Sequence, residues 1–202
     1  MNAVLYVHGR GGSAAECEHY KPLFPGYEVT GADYRSVTPW EAGKEIHAAA
    51  VALKARAENV VLIANSVGAF FCLHADLNGL IRRAYLISPL VDMERMITDM
   101  MRWADVTEAE LREKGEITAD SGETLSWEYL CYVRSHPIHW NVPAQILYAG
   151  GDGLIPAETV RDFAKNHHAG LTVMEGGEHW FHTEEQMAFL DGWIRKHEEE
   201  YR

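Results

Sequence analysis

The sequence predicts an α/β fold in which helices cover both faces of a mostly parallel, six-stranded sheet. Two observations lead to this prediction. Short β-rich runs alternate with helical patterns along the chain, and most of these runs are continuously apolar rather than alternating. Strands that are covered on both faces have such continuous runs, because neither face meets water. Strand–helix alternation also favours right-handed crossovers between parallel strands, which gives a three-layer α/β/α sandwich.

Most of the predicted strands are short apolar runs, and the predicted helices carry apolar residues at helical spacing. The strands are Ala3–Val7, Glu28–Thr30, Val60–Ala64, Ala84–Ile87, Gln145–Tyr148 and Leu171–Met174. The helices are Ala42–Ala57, Val67–Leu77, Ala157–Asn166 and Glu184–Glu199. The last helix begins with a capping box, Thr183-Glu-Glu-Gln186, and its apolar stripe is expected to pack in the core.

One long connection interrupts this alternation. About fifty residues between Pro89 and Ala144 lack strand character, which is too long for an ordinary loop. Apolar residues in this stretch recur at the spacing of an amphipathic helix. They are Met93, Met96, Ile97, Met100 and Met101. A capping box at Thr107 and the run Ser126–Ser135 predict two more helices. We therefore predict a single domain over residues 1–202, with a helical lid insertion at about residues 90–141 above the carboxyl ends of the strands.

The charge and the apolar runs exclude several classes of partner. The formal net charge is −12 and no basic cluster is present, which argues against nucleic-acid binding. The N-terminus lacks the basic segment of a signal peptide, and no apolar run has the length of a membrane span. The three cysteines lack the spacing of a metal site and are expected to be free thiols. These observations predict a cytoplasmic protein, either a monomer or a homodimer, with no membrane span.

Polar or glycine-rich segments follow four of the strands, where ligands of parallel sheets bind. The first segment, His8-Gly-Arg-Gly-Gly-Ser13, follows the first strand. Its glycines leave backbone N–H groups uncovered, so the loop can solvate an anion. The alternative is a phosphate-binding loop. The segment lacks both the Gly-Lys-Ser/Thr of the Walker pattern and the Gly-x-Gly-x-x-Gly of dinucleotide sites.

The second segment, Ala64-Asn-Ser-Val-Gly68, joins a predicted strand directly to a predicted helix. A serine on such a turn adopts a strained backbone conformation and needs small residues two positions before and after it. Ala64 and Gly68 meet that need, so the hydroxyl of Ser66 would be exposed above the sheet. The helix N-terminus would then lie beside it. Alternatively, Ser66 is only a helix N-cap.

The last two segments follow the fifth and sixth predicted strands. Asp152 lies in Gly150-Gly-Asp-Gly-Leu-Ile-Pro156, and His179 lies in Gly176-Gly-Glu-His-Trp-Phe-His182. Taken alone, Asp152 could be a turn aspartate, and His179 could be a structural histidine. Together with Ser66, they form a set of three catalytic residue types, each on a turn after a different strand.

This ordered set, with the glycine loop after the first strand, resembles the α/β-hydrolase family. The resemblance rests on "HGRGG", "ANSVG", "GGDGLIP" and "GGEHWF", which span nearly the whole chain. It implies that Ser66 is the nucleophile, that His179 is the general base and that Asp152 orients the imidazole. Some relatives place the acid after the preceding strand, where Asp92 stands, so Asp92 is the alternative. The elbow begins with Ala64 where the family commonly has Gly. The family's first two strands are absent, which suggests a trimmed sheet.

The resemblance also implies an oxyanion hole and a substrate pocket. The backbone N–H groups of Arg10 and Val67 would form the hole, with Gly11 as the alternative to Arg10. The expected substrate-binding residues are His8, Asn65, Met93, Met96 and Trp180. His136 and His139 lack metal-ligand spacing, so no metal is predicted, and no cofactor is needed.

The resulting prediction is a serine hydrolase that cleaves a small carboxylic ester or thioester through an acyl-enzyme intermediate. Its partner would be a small-molecule acyl substrate, and the methionine stripe suggests a modest preference for apolar acyl groups. Alternatively, the stripe only packs the insertion onto the sheet. Two alternatives remain open. The same triad could serve an amidase, peptidase or lyase, and the fold could belong to a non-catalytic binding module.

Overall fold

The computed structural model describes residues 1–120 and 122–201. Contacts divide the chain into two compact units. The first comprises Met1–Val91 and Trp140–Arg202, and the second comprises Asp92–His139.

The first unit is built on a six-stranded sheet of order β2-β1-β3-β4-β7-β8, and the second contains the hairpin β5-β6. The strands are β1 (Asn2–Val7), β2 (Tyr27–Gly31), β3 (Asn59–Asn65), β4 (Arg83–Ile87), β5 (Glu116–Thr118), β6 (Thr124–Ser126), β7 (Ala144–Ala149) and β8 (Gly170–Met174). Neighbouring strands of the large sheet pair in parallel throughout. The predicted parallel sheet is therefore confirmed.

Helices connect these strands. They are α1 (Pro39–Lys54), α2 (Ser66–Leu73), α3 (Met93–Trp103), α4 (Glu108–Lys114), α5 (Trp127–Ser135), α6 (Ala157–Asn166) and α7 (Glu184–Glu200). A 3-10 helix over Ala14–Leu23, which the sequence analysis did not predict, precedes β2. Half of the predicted capping box of α7 forms, since the Thr183 hydroxyl accepts a hydrogen bond from the Gln186 N–H at 3.2 Å. The Gln186 side-chain oxygen accepts from the His182 N–H, at 3.1 Å, in place of the Thr183 N–H.

The sheet separates two apolar layers, because successive side chains of a strand point to opposite faces. On one face, Tyr6, Val61 and Tyr85 pack in a buried cluster with Trp193 and Ile194 of α7. The 3-10 helix contributes further apolar side chains to that cluster. On the other face, α1 and α2 lie against β1 and β3. Helices therefore flank the sheet on both sides, as predicted.

The second unit contains α3, α4, α5 and the hairpin β5-β6. The prediction that this stretch lacks strands is wrong. Each strand of the hairpin has only three residues, which is too short to show an alternating pattern. Gly115, with φ of 76°, ends α4 and leads into the hairpin. Within this unit, the Arg134 guanidinium donates hydrogen bonds to both Glu94 and Glu108.

No helix in residues 1–120 or 122–201 is long and apolar enough to cross a membrane.

Candidate active site

Ser66 lies at the junction between β3 and α2, at the carboxyl edge of the sheet. Its φ is 50°, a left-handed conformation that is costly for residues other than glycine. A Cβ atom on Gly68 would lie 2.1 Å from the carbonyl oxygen of His8, so only glycine fits there. The tight turn predicted from Ala64 and Gly68 is thus present, and it brings the first turn of α2 into close contact with the backbone that follows β1.

Backbone hydrogen bonds bring the two loops after β7 and β8 together. The Gly150 N–H donates to the Met174 carbonyl at 2.9 Å, and the Gly151 N–H donates to the Gly177 carbonyl at 2.8 Å. A Cβ atom on Gly151 would lie only 2.9 Å from that Gly177 oxygen. The paired glycines therefore allow Asp152, directly after Gly151, and His179, two residues after Gly177, to approach one another.

A chain of two hydrogen bonds links the three predicted triad side chains. The Oγ atom of Ser66 lies 2.8 Å from Nε2 of His179, and Nδ1 of His179 lies 2.6 Å from Oδ2 of Asp152. An ionised carboxylate can only accept a hydrogen bond, so Nδ1 of a neutral imidazole must carry the proton. Nε2 is then an acceptor facing the Ser66 hydroxyl, which is the arrangement that general-base catalysis requires.

The Asp152 carboxylate is held firmly in place. Its side chain is fully buried, and its Oδ1 atom accepts hydrogen bonds from the N–H groups of Leu154, at 2.8 Å, and Ile155, at 3.3 Å. The rival acid, Asp92, has a different contact, because its carboxylate accepts the Arg95 N–H at 2.9 Å and caps α3. The geometry therefore favours Asp152 as the partner of His179.

The glycine loop after β1 runs alongside Ser66. A Cβ atom on Gly9 would lie 3.1 Å from the Cβ atom of Ser66, so the loop backbone passes in contact with the serine. Gly11 has φ of 73°, and the Gly12 N–H closes a turn on the Gly9 carbonyl at 3.2 Å. This turn contains Arg10, whose N–H was predicted to face a developing oxyanion together with that of Val67, at the start of α2.

The expected substrate-binding residues occupy different environments. The His8 ring stacks on Tyr34 at a centroid distance of 4.4 Å, and the Tyr34 hydroxyl donates to the His8 carbonyl at 2.7 Å. The Asn65 amide donates to the Tyr6 hydroxyl at 3.0 Å. Trp180 is 74% exposed and stacks on the ring of His182.

The other two expected residues, Met93 and Met96, lie in the second unit. Met93 is buried and Met96 is half-buried.

Three residues around the glycine loop were not among the predicted site residues: Tyr6, Glu16 and Tyr34. Glu16 had a readable signal, because Ser13-Ala-Ala-Glu16 matches a capping box, and the Ser13 N–H does donate to its Oε1 atom at 3.1 Å. The tyrosines gave no local signal, since their contacts join segments that are distant in sequence. Within the two described ranges, no group of three or more His, Cys, Asp or Glu side chains is arranged to hold a metal ion.

Comparison with known sequences gives only a partial match. A segment of 58 residues is 43% identical to "Putative esterase/lipase 3" of Mycoplasma genitalium. This segment covers 29% of the present chain and 20% of that relative, so most of the relative has no counterpart in the match. No protein-family model matches the chain.

Solved structures match over almost the full chain. Mouse alpha/beta hydrolase domain-containing protein 10 superposes with a TM-score of 0.77 at 17% identity, covering 99% of this chain and 90% of that one. Est1E from Butyrivibrio proteoclasticus gives 0.72 at 16% identity, with 98% and 87% covered. The thioesterase domain from the curacin biosynthetic pathway gives 0.61 at 16% identity, with 96% and 90% covered. With its parallel six-stranded sheet and flanking helices, the chain therefore has the α/β-hydrolase fold.

Proposed function

We propose that this protein is a serine hydrolase that cleaves a small carboxylic ester or thioester through an acyl-enzyme intermediate. The observation that carries the proposal is the hydrogen-bonded series Ser66–His179–Asp152 at the carboxyl edge of the sheet. A free serine hydroxyl is too weakly acidic to attack an ester at neutral pH, and an adjacent base removes that obstacle.

In the acylation step, the Ser66 Oγ atom attacks the substrate carbonyl carbon while Nε2 of His179 accepts the hydroxyl proton. The imidazolium that forms is stabilised by the buried Asp152 carboxylate, 2.6 Å from Nδ1. Negative charge develops on the substrate carbonyl oxygen, and the N–H groups of Arg10 and Val67 are the proposed donors to it. Each such donor contributes about 10²–10³-fold to kcat in enzymes of this type.

The tetrahedral intermediate then collapses. The bond to the leaving group breaks, and the proton on Nε2 of His179 passes to the departing alcohol or thiol. A water molecule repeats the sequence against the acyl-serine. It loses a proton to His179 and releases the carboxylic acid, and the Ser66 hydroxyl is restored. The net reaction is hydrolysis of one ester or thioester bond.

The comparisons support this choice of reaction. The partial sequence relative is named an esterase/lipase, and one structural neighbour is named a thioesterase domain. These names describe the neighbours. They suggest that esters and thioesters should be the first substrate classes tried with this chain.

A fluorophosphonate probe tests the nucleophile. We expect the parent protein to be labelled at Ser66 and to hydrolyse an activated ester, and we expect Ser66→Ala to lose both properties. Ser36→Ala is a matched control, since the Ser36 hydroxyl is already donated to Glu45. Labelling that persists unchanged in Ser66→Ala would overturn the assignment.

A graded substrate panel tests the acyl specificity. Chromogenic esters from acetyl to octanoyl, together with the corresponding thioesters, should show a modest rise in kcat/KM with acyl length if the methionine stripe contacts substrate. Equal rates on acetyl and octanoyl esters would remove the apolar preference without affecting the proposed reaction.

A further inference from the structure

Glu16 lies on the 3-10 helix and joins the glycine loop to the serine turn. Its Oε1 atom accepts the Ser13 N–H at 3.1 Å, and its Oε2 atom accepts the Tyr6 hydroxyl at 2.5 Å. The Tyr6 oxygen in turn accepts the Asn65 amide at 3.0 Å. Asn65 directly precedes Ser66, so one carboxylate contacts the loop and, through one tyrosine, the residue next to the serine.

The glycine loop is shaped to admit this carboxylate. A Cβ atom on Gly12 would lie 2.7 Å from Oε1 and 3.0 Å from Oε2 of Glu16. The carboxylate therefore occupies the space that a side chain at position 12 would take. An ordinary helix cap needs only the contact with Ser13. The close packing of the carboxylate against Gly12 and its hydrogen bond with Tyr6 show that Glu16 does more than cap the 3-10 helix.

The hydrogen bonds in this series have a fixed direction. Because a carboxylate only accepts, the Tyr6 hydroxyl must donate to Glu16, and its oxygen is left to accept from Asn65. Burial raises the pKa of the Tyr6 hydroxyl, and nearby Tyr20 and Glu16 raise it further, so the hydroxyl keeps its proton. This orientation leaves the buried Oδ1 atom of Asn65 without a hydrogen-bond partner among the described residues.

That unsatisfied oxygen indicates what Glu16 enforces. A buried acceptor without a partner is unfavourable, and the Tyr6 hydroxyl could satisfy it by donating to Asn65 instead. The Glu16 carboxylate prevents this because it accepts the hydrogen bond that the Tyr6 hydroxyl donates. Without Glu16, the Tyr6 hydroxyl could donate to Asn65 and compete with the present orientation of this amide, which also contacts Tyr20, and the Ser13 N–H would lose its partner.

We propose that Glu16 is a positioning residue that sets the Asn65 orientation beside the nucleophile and fixes the glycine loop in the conformation that stabilises the oxyanion. The effect on catalysis rests on the proposed hydrolase function, whereas the effect on the positions of Asn65 and the glycine loop does not. Glu16 acts through Ser13, Tyr6 and Asn65 and makes no contact with the reacting atoms.

The variants Glu16→Ala and Glu16→Gln test this role, with Glu18→Ala as the matched control. Glu18 lies on the same helix and pairs with Lys21 on the surface. We expect Glu16→Ala to lower kcat about ten-fold with KM within about two-fold, a smaller loss than the ~10²-fold for removing an oxyanion donor outright. Glu16→Gln should recover part of kcat, because its amide oxygen can still accept from Tyr6. Equal kcat for Glu16→Ala and Glu18→Ala would overturn the catalytic role.

Nuclear magnetic resonance gives a readout that does not depend on activity. Glu16→Ala should shift both the Ser13 backbone amide and the Asn65 side-chain amide resonances, and Glu18→Ala should shift neither. Tyr6→Phe should shift the Asn65 resonance alone. Unchanged resonances in Glu16→Ala would refute the positioning role. A parent protein that neither turns over esters nor labels at Ser66, but shows these shifts, would refute the hydrolase proposal and still support the placement of Glu16.

Discussion

Two polar clusters lie at opposite ends of the parallel strands. They contain similar chemical groups but have different environments. Near the start of β4, the Arg83 guanidinium, the Glu198 carboxylate and the Tyr85 hydroxyl form one cluster. Beyond the end of β3, Ser66, His179 and Asp152 form the other. Both contain a buried carboxylate, so burial of charge alone does not identify a reactive site.

The cluster at β4 is closed. Arg83 and Glu198 are 5% and 7% exposed, and Oε1 of Glu198 accepts hydrogen bonds from both Arg83, at 2.9 Å, and Tyr85, at 2.6 Å. Its second oxygen accepts from Arg83 as well. Since both carboxylate oxygens accept hydrogen bonds and the two charged side chains are nearly buried, the cluster holds α7 against the sheet.

The cluster beyond β3 is open at one end. Asp152 is sealed like Glu198, but the His179 side chain is 19% exposed and the series ends in a half-buried serine hydroxyl on a strained turn. The two clusters therefore differ in an accessible terminal group, and in the proposed triad the buried Asp152 carboxylate would orient the imidazole.

The largest effect is expected from Asp152→Asn. The amide would donate to Nδ1 of His179 and place the imidazole proton on Nε2, where it blocks acceptance from Ser66. We expect kcat to fall about 10⁴-fold, with little change in the free energy of unfolding. Asp92→Asn, measured by the same ester assay, is the control for the rival acid. A fully active Asp152→Asn variant would exclude Asp152 as the orienting group.

Removing the carboxylate of the closed cluster should affect stability and spare catalysis. Glu198→Ala leaves the Arg83 charge buried without its partner, and we expect a loss of about 3–5 kcal/mol in the free energy of unfolding. Urea titration measures this loss, and kcat per fluorophosphonate-labelled site should stay at the parental value. Glu199→Ala, at an exposed neighbouring position, should change stability by less than about 0.5 kcal/mol. Equal stability of the two variants would contradict the structural role of the ion pair.

Gly68→Ala should lower both the stability and kcat. The added Cβ atom would collide with the His8 carbonyl, so β1 and α2 must separate at the glycine loop. We expect a loss of about 1–3 kcal/mol in stability together with reduced kcat. Gly192→Ala in α7 is the control, because its Cβ atom would meet nothing within 4 Å and should stabilise the helix by about 0.5–1 kcal/mol. Parental stability and kcat in Gly68→Ala would show that the contact is dispensable.

The smallest effect concerns alkaline pH. Burial raises the pKa of Tyr85, and its hydrogen bond to Glu198 adds to the rise. Above pH ~10, the unfolded chain loses this proton while the folded chain keeps it, so stability falls as pH increases. The contribution of Tyr85 is at most ~1.4 kcal/mol per pH unit. In urea titrations between pH 9 and 11, the free energy of unfolding should fall less steeply with pH for Tyr85→Phe than for the parent protein. Identical slopes for the two proteins would argue against a raised pKa of Tyr85.

The parallel sheet could be predicted because most of its strands carry their own signal, an apolar run such as Val60–Ala64 that is buried on both faces. The roles of Ser66, Asp152 and His179 stay predictions, although each lies on a turn whose glycines the sequence displays. The hairpin of the second unit was missed because its strands are short. The Tyr6–Glu16–Asn65 series was missed because hydrogen bonds between distant segments leave no periodic pattern.

The left-handed backbone at Ser66 restricts what the position could become. A side chain branched at Cβ is strongly disfavoured at φ of 50°, so threonine is a poor substitute even though it carries a hydroxyl. Cysteine and aspartate are unbranched at that carbon and have the reach to face His179. The turn therefore constrains which nucleophiles an evolving or redesigned version of this chain could adopt.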